Sequence, residues 1–168
     1  MMKALVLYHS LFGNTRTVAM SLAKGIQESG VDVTCIGIET FDISRICEYE
    51  FIAIGSPTHM IRTSKEMKEF LLRLDTYDLK GKLGFSFDTR TDSRMNDRKW
   101  SVFENSAARV IERKMKRLKM KIIRPRQSAI VTGREGPLDS GVEDTFLEIG
   151  REIGRTLEGL EKPVIIES

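Results

Sequence analysis

The sequence predicts an α/β three-layer sandwich, a parallel sheet with helices on both faces. Three observations predict it. Short apolar runs without polar alternation, suited to strands covered on both sides, recur along the chain, beginning with Lys3–Tyr8. Between them lie stretches whose apolar residues return at helical spacing, as Val18, Leu22 and Ile26 do. Their alternation implies right-handed crossovers between parallel strands. With 168 residues, the chain is expected to form one domain over 1–168 with a substantial core.

The elements follow in order. The first strand stops at His9-Ser-Leu-Phe-Gly-Asn-Thr15, and a helix begins directly after it. Gly30 closes that helix, and Val31–Ile38 alternates as a second strand. Phe51–Ile54 is a third strand closed by Gly55-Ser-Pro57. Pro57 lacks an N–H, which places the start of the loop there. Ser64 is suited to cap a helix carrying Met67, Leu71 and Leu74. Lys82–Phe87 is a fourth strand ending at Asp88-Thr-Arg-Thr91, and a polar stretch containing Trp100 comes next. A basic helix with Ile111, Met115 and Leu118 on its apolar stripe precedes a fifth strand region, Lys121–Val131, broken or bent at Pro125. Gly133–Pro137 is a loop. Ser140-Gly-Val-Glu143 reads as a capping box for a last helix carrying Val142, Phe146, Ile149, Ile153 and Leu157. The tail Pro163–Ile166 is apolar and suited to docking on the body or on a partner.

Composition excludes several classes. Hydrophobic residues make up 40% and charged residues 30%, with no apolar run of membrane-spanning length. The first residues read as a core strand and not as a cleavable signal, which predicts a cytoplasmic protein without a membrane partner. Cys35 and Cys47 are too distant for a Cys-x-x-Cys pair and too few for a disulfide framework. Cys35 is expected to act as a buried small hydrophobe. Nine of the 27 basic residues and one of the 24 acidic residues fall within Arg109–Arg126, leaving an acidic excess elsewhere. This run decorates the polar side of a helix and has no interleaved aromatics for base stacking, so nucleic acid is not an expected partner.

The chemistry gathers at one edge of the sheet. Ser10, Asn14 and Thr15 offer hydroxyl and amide donors, Gly13 permits close backbone approach, and the helix start adds orphan N–H groups. Together they make a seat for a phosphate. There is neither a triphosphate-binding lysine nor a Gly-x-Gly-x-x-Gly. The loops after strands one, three and four, His9–Thr15, Ser56–Met60 and Asp88–Thr91, all leave the carboxyl edge. They are expected to surround one pocket.

Ser10-Leu-Phe-Gly-Asn-Thr15 resembles the phosphate loop of the flavodoxins, Ser/Thr-x-Thr-Gly-Asn-Thr, with Phe12 where a hydroxyl residue is usual. Gly55-Ser-Pro-Thr-His59 is similar to the second loop of flavodoxins and related quinone reductases. Phe87-Asp-Thr-Arg90 resembles the third loop of a flavodoxin-like branch. The resemblance implies five strands in the order 2-1-3-4-5 and noncovalent FMN. It assigns the phosphate to Ser10, Leu11, Phe12, Gly13, Asn14 and Thr15, and the isoalloxazine ring to Pro57, Thr58, His59, Met60, Asp88, Thr89 and Arg90. Phe12, His59, Met60 and Trp100 are the candidates to cover the ring. The implied activity is electron transfer between redox proteins, a ferredoxin-like donor or a reductase, with a homo-oligomer left open.

Other readings compete. An FMN-dependent NAD(P)H:quinone or flavin reductase shares these loops, and a non-flavin interaction module shares the fold. A phosphorylatable signalling domain needs acidic residues where the chain has His9-Ser10 and Gly55-Ser56. His9, His59 and Asp88 are metal-ligand types at neighbouring strand ends. No i,i+4 or His-x-His spacing pairs them, and no metal is expected.

Overall fold

The computed structural model describes residues 1–59, 62–91 and 106–162. The strands are β1 (Lys3–Tyr8), β2 (Asp32–Gly37), β3 (Phe51–His59), β4 (Arg62–Thr63), β5 (Leu83–Thr91), β6 (Lys121–Ile122) and β7 (Gln127–Val131). The helices described are α1 (Asn14–Gln27), α2 (Lys65–Arg73), α3 (Ala107–Arg117) and α4 (Val142–Glu161). Trp100, Met60 and the tail Pro163–Ile166 lie outside the described residues.

The sheet runs β2-β1-β3-β5, and β6 and β7 both pair parallel with β5. β6 sits beside Leu83–Gly84 and β7 beside Phe87–Thr91, so they are two pieces of one fifth strand. The gap between them contains Pro125, which has no N–H to give to a ladder. The expected 2-1-3-4-5 order therefore holds, with the last strand split and β4 added as a short antiparallel partner of β3.

Strand alternation sorts the core into two layers. Ala4, Val6, Phe51, Ala53, Phe85 and Phe87 face α1 and α4, while Leu5, Leu7, Ile52 and Ile54 face α2 and α3. Each fully buried Leu, Ile or Phe among them contributes about 1.5–3 kcal/mol. Ile111 and Met115 anchor α3 in the second layer, which leaves its basic side to solvent and to ion pairs with Asp75 and the buried Glu112. That basic run passes through β6, beside the start of β5 and hence at the amino edge, and ends at Arg126 directly before β7. Cys35 is half-buried against the first layer, and burial pushes its thiol up to about 11.

α1 and α4 meet backbone to backbone. A Cβ on Gly25 would lie 2.1 Å from the Leu147 carbonyl oxygen, and one on Gly150 would lie 2.2 Å from that of Leu22. Only glycine permits this approach.

Two local expectations are corrected. β3 does not stop at Pro57: it continues to His59, with Pro57 opposite Thr89 of β5. The Gly55 carbonyl accepts from the His9 N–H across β1, and two residues on the Pro57 nitrogen points to that same side. β1 has ended by then, so no donor is needed. The capping box at Ser140 does not form either. Gly141, at φ 80°, is the N-cap of α4, and no side chain caps the helix. Glu143 and Asp144 in the first turn favour the helix dipole instead.

Candidate cofactor site at the carboxyl edge

β1 delivers the chain to a loop whose donors point inward. Ser10 Oγ accepts from Gly13 N at 3.1 Å and Arg16 N at 3.3 Å. Gly13, at φ 91°, is the N-cap of α1 and has no side chain to offer, while Ser10 takes the first-turn N–H of Arg16. A Cβ there would meet nothing within 4 Å, so the left-handed turn, and not crowding, requires glycine. Among the described residues, the N–H groups of Asn14 and Thr15 have no acceptor. A helix start with free N–H groups and a neutral, hydroxyl-lined approach is suited to a phosphate dianion.

The other loops are tied to this one. Thr15 is buried, and its hydroxyl lies 2.8 Å from that of Thr89 on β5. Phe12 is 44% exposed and meets His59 edge-on, the ring centroids 6.2 Å apart. Thr58 donates its hydroxyl to Asp88 Oδ2 at 2.8 Å and accepts from Ala107 N at 2.8 Å. Ala108 N adds a 3.3 Å bond to the same carboxylate oxygen. The expected site residues that are described thus share one edge, and these bonds join the first loop to the third and the second to the third. Leu11 is exposed and Arg90 half-buried.

Asp88 is expected in a loop but lies on β5, fully buried. Burial pushes its carboxyl above the ordinary range, against the Ser128 and Thr58 hydroxyls and the Arg90 charge. His59 is pushed the other way: burial, then the nearby Arg134 charge, hold it below the usual imidazole value.

Two contributors are not evident from sequence. The loop after β7 reaches the site, where Glu135 O accepts from Asn14 Nδ2 at 3.0 Å. Gly136, at φ 95°, lies so close that a Cβ there would be 2.6 Å from the Asn14 amide. The topology held the signal, since the last parallel strand also points its end at this edge. The second contributor is the pair Glu39 and Glu66 around His9, with His9 Nδ1 and Glu39 Oε1 2.5 Å apart. No local pattern joins those three residues.

The buried side-chain polar atoms lacking a hydrogen bond among the described residues are His9 Nε2, His59 Nε2, Thr63 Oγ1 and Asp88 Oδ1. All four belong to the ends of β1, β3 and β5 or to β4. Buried polar groups are ordinarily paired, so this concentration marks where a polar ligand belongs. With the Asn14 and Thr15 N–H groups at the start of α1, it meets the needs of FMN, which has a phosphate at one end and a ring with several acceptors and donors at the other.

Known proteins fit this geometry. A flavodoxin from Clostridium saccharobutylicum is 35% identical over 52% of this chain and 56% of its own length. An NAD(P)H dehydrogenase (quinone) from Archaeoglobus fulgidus is 28% identical over 42% of this chain and 50% of its own. The chain thus spans about half the length of these curated relatives. The solved structure of a flavodoxin from the domain Archaea superimposes with a TM-score of 0.75 at 24% identity, over 94% of this chain and 99% of that one, which establishes the fold. The Flavodoxin family model matches residues 6–149, and the chain therefore belongs to the flavodoxin family, whose cofactor is FMN.

Proposed function

We propose that the protein is an electron carrier that binds FMN at the carboxyl edge and passes electrons between redox proteins. One observation carries the reading: among the described residues, His59 Nε2 and Asp88 Oδ1 are buried without a hydrogen bond at the edge where the N–H groups of Asn14 and Thr15 also lack acceptors. When bound, FMN supplies the electron-accepting ring. The chain's own residues bind, orient and shield it. Ser10, Gly13, Asn14 and Thr15 seat the phosphate with neutral donors and the positive end of a helix. Thr58, His59, Thr89 and Arg90 line the ring, with Pro57 stiffening the end of β3. Asp88 works from below, holding Thr58 and the start of α3 in register.

Titration with FMN tests this. Wild type should bind, and a Thr15→Ala, Asn14→Ala double variant should bind at least tenfold more weakly. Unchanged affinity in that variant overturns the proposed seat. The likeness to the Archaeoglobus fulgidus protein favours a second reading, a two-electron NAD(P)H:quinone reductase. Steady oxidation of NADPH by the FMN-loaded protein with a quinone would replace the carrier reading with that one.

A further inference from the structure

We propose that His9, clamped by Glu39 and Glu66, is a positioning residue that sets the phosphate loop and so controls the preference for FMN over unphosphorylated flavin. The inference rests on the FMN reading and deepens it. His9 is the last residue before the loop, and it is held at both backbone and side chain. Its N–H donates to Gly55 O at 3.0 Å, the final rung between β1 and β3. Its ring, 6% exposed, points between two carboxylates from elements far along the chain. Nδ1 lies 2.5 Å from Glu39 Oε1, in the segment after β2, and Nε2 lies 3.6 Å from Glu66 Oε2, in the first turn of α2.

The two sides differ. The contact on Glu39 is a hydrogen bond, whereas that on Glu66 is too long for one and leaves Nε2 unpaired. Both carboxylates are about half exposed, so neither needs the histidine for its own solvation, while the buried imidazole needs them. The clamp therefore serves the residue it holds. Fixing His9 fixes the direction in which the chain enters Ser10, whose hydroxyl gathers the N–H groups of Gly13 and Arg16. The ring walls on β3 and β5 are tied to each other by Thr58 and Asp88, a bond that His9 does not touch.

The test compares FMN with riboflavin, which shares the ring and lacks the phosphate, by fluorescence quenching on wild type, His9→Ala, His9→Gln and Glu39→Gln. His9→Ala should weaken FMN about tenfold and leave riboflavin within twofold. His9→Gln keeps a donor toward Glu39 and should recover most of the loss. Glu39→Gln should cost about threefold for FMN alone, and adding it to His9→Ala should cost nothing more. Equal losses for FMN and riboflavin overturn the proposal in favour of general loosening, as does an FMN affinity that His9→Ala leaves intact. Should His9→Ala not fold, the FMN-to-riboflavin ratio of Glu39→Gln decides alone. Wild type that takes up neither flavin overturns the FMN reading itself.

Discussion

The seam between α1 and α4 and the carboxyl edge of the sheet are finished in opposite ways. At the seam, Gly25 and Gly150 bring two helix backbones together, and Phe146, Ile149, Ile153 and Leu157 complete the layer against the sheet. Among the described residues, no buried side-chain polar atom of these two helices lacks a hydrogen bond. At the carboxyl edge, among the described residues, nothing lies within 4 Å of the Cβ position of Gly13, two N–H groups of α1 lack acceptors, and four buried polar atoms lack a hydrogen bond. The seam is optimised for the folded state by itself. The edge carries polar groups whose burial is costly until a ligand satisfies them, so it trades stability for recognition.

This contrast gives a graded set of tests. The largest effect is expected at the seam. Gly150→Ala drives a methyl into the Leu22 carbonyl and should cost about 3 kcal/mol or more, roughly 6–12 °C in Tm for a chain of this size. Gly159→Ala, on the same helix with nothing within 4 Å, is the control. It should be neutral or stabilise by about 0.5–1 kcal/mol. A gain at both positions would show that helix propensity, and not close approach, governs the seam.

At the edge the sign should reverse. Asp88 is held above the ordinary carboxylate range, so the folded state binds its proton more tightly than the unfolded state does. Its stability cost is absent below the ordinary carboxylate value, grows as pH rises through the folded value, and is complete above it. Asp88→Asn keeps an oxygen to accept from Thr58 and Ala108. It should raise Tm by a few degrees at pH 8 and by nothing at the acid end, read by thermal melts at both. A loss at pH 8 that disappears at the acid end would mean that the carboxylate stabilises the edge.

His59 should give a smaller effect on the other limb. Its imidazole is held below the usual value, so the unfolded state binds the proton better and stability falls as pH drops through the ordinary histidine range. His59→Gln should flatten that fall in melts between pH 7 and pH 5. Adding Arg134→Gln to the wild type should reduce it in part, since Arg134 is one source of the shift.

Much of this edge is legible in the chain because its signals are local. The Lys3–Tyr8 run, the glycine before Asn14-Thr15 and the apolar stripe of α1 lie within one crossover unit, and strand polarity then sends every such loop to the same side. Pro57 misleads for a related reason. Its missing N–H ends a strand only where a neighbour needs that donor, and β1 has already stopped. Ser140 misleads because a capping box needs a non-helical residue at one fixed position, and the left-handed turn at Gly141 takes that position instead. Asp88 reads as a loop residue because nothing local shows that β7 extends alongside it.

The sequence by itself determined the alternation of strands and helices and the single edge at which the loops after the strands gather. Each of these follows from periodicity, turn chemistry and crossover handedness within a few tens of residues. Only the tertiary structure decided that Glu39 and Glu66 converge on His9, that the loop after β7 locks onto Asn14, and that Asp88 is buried beneath Thr58. Those pairings join residues up to 121 apart in the chain, as the Asn14 side chain and the Glu135 carbonyl are. Their energies depend on how much water is excluded between them, which is settled only once the layers have packed.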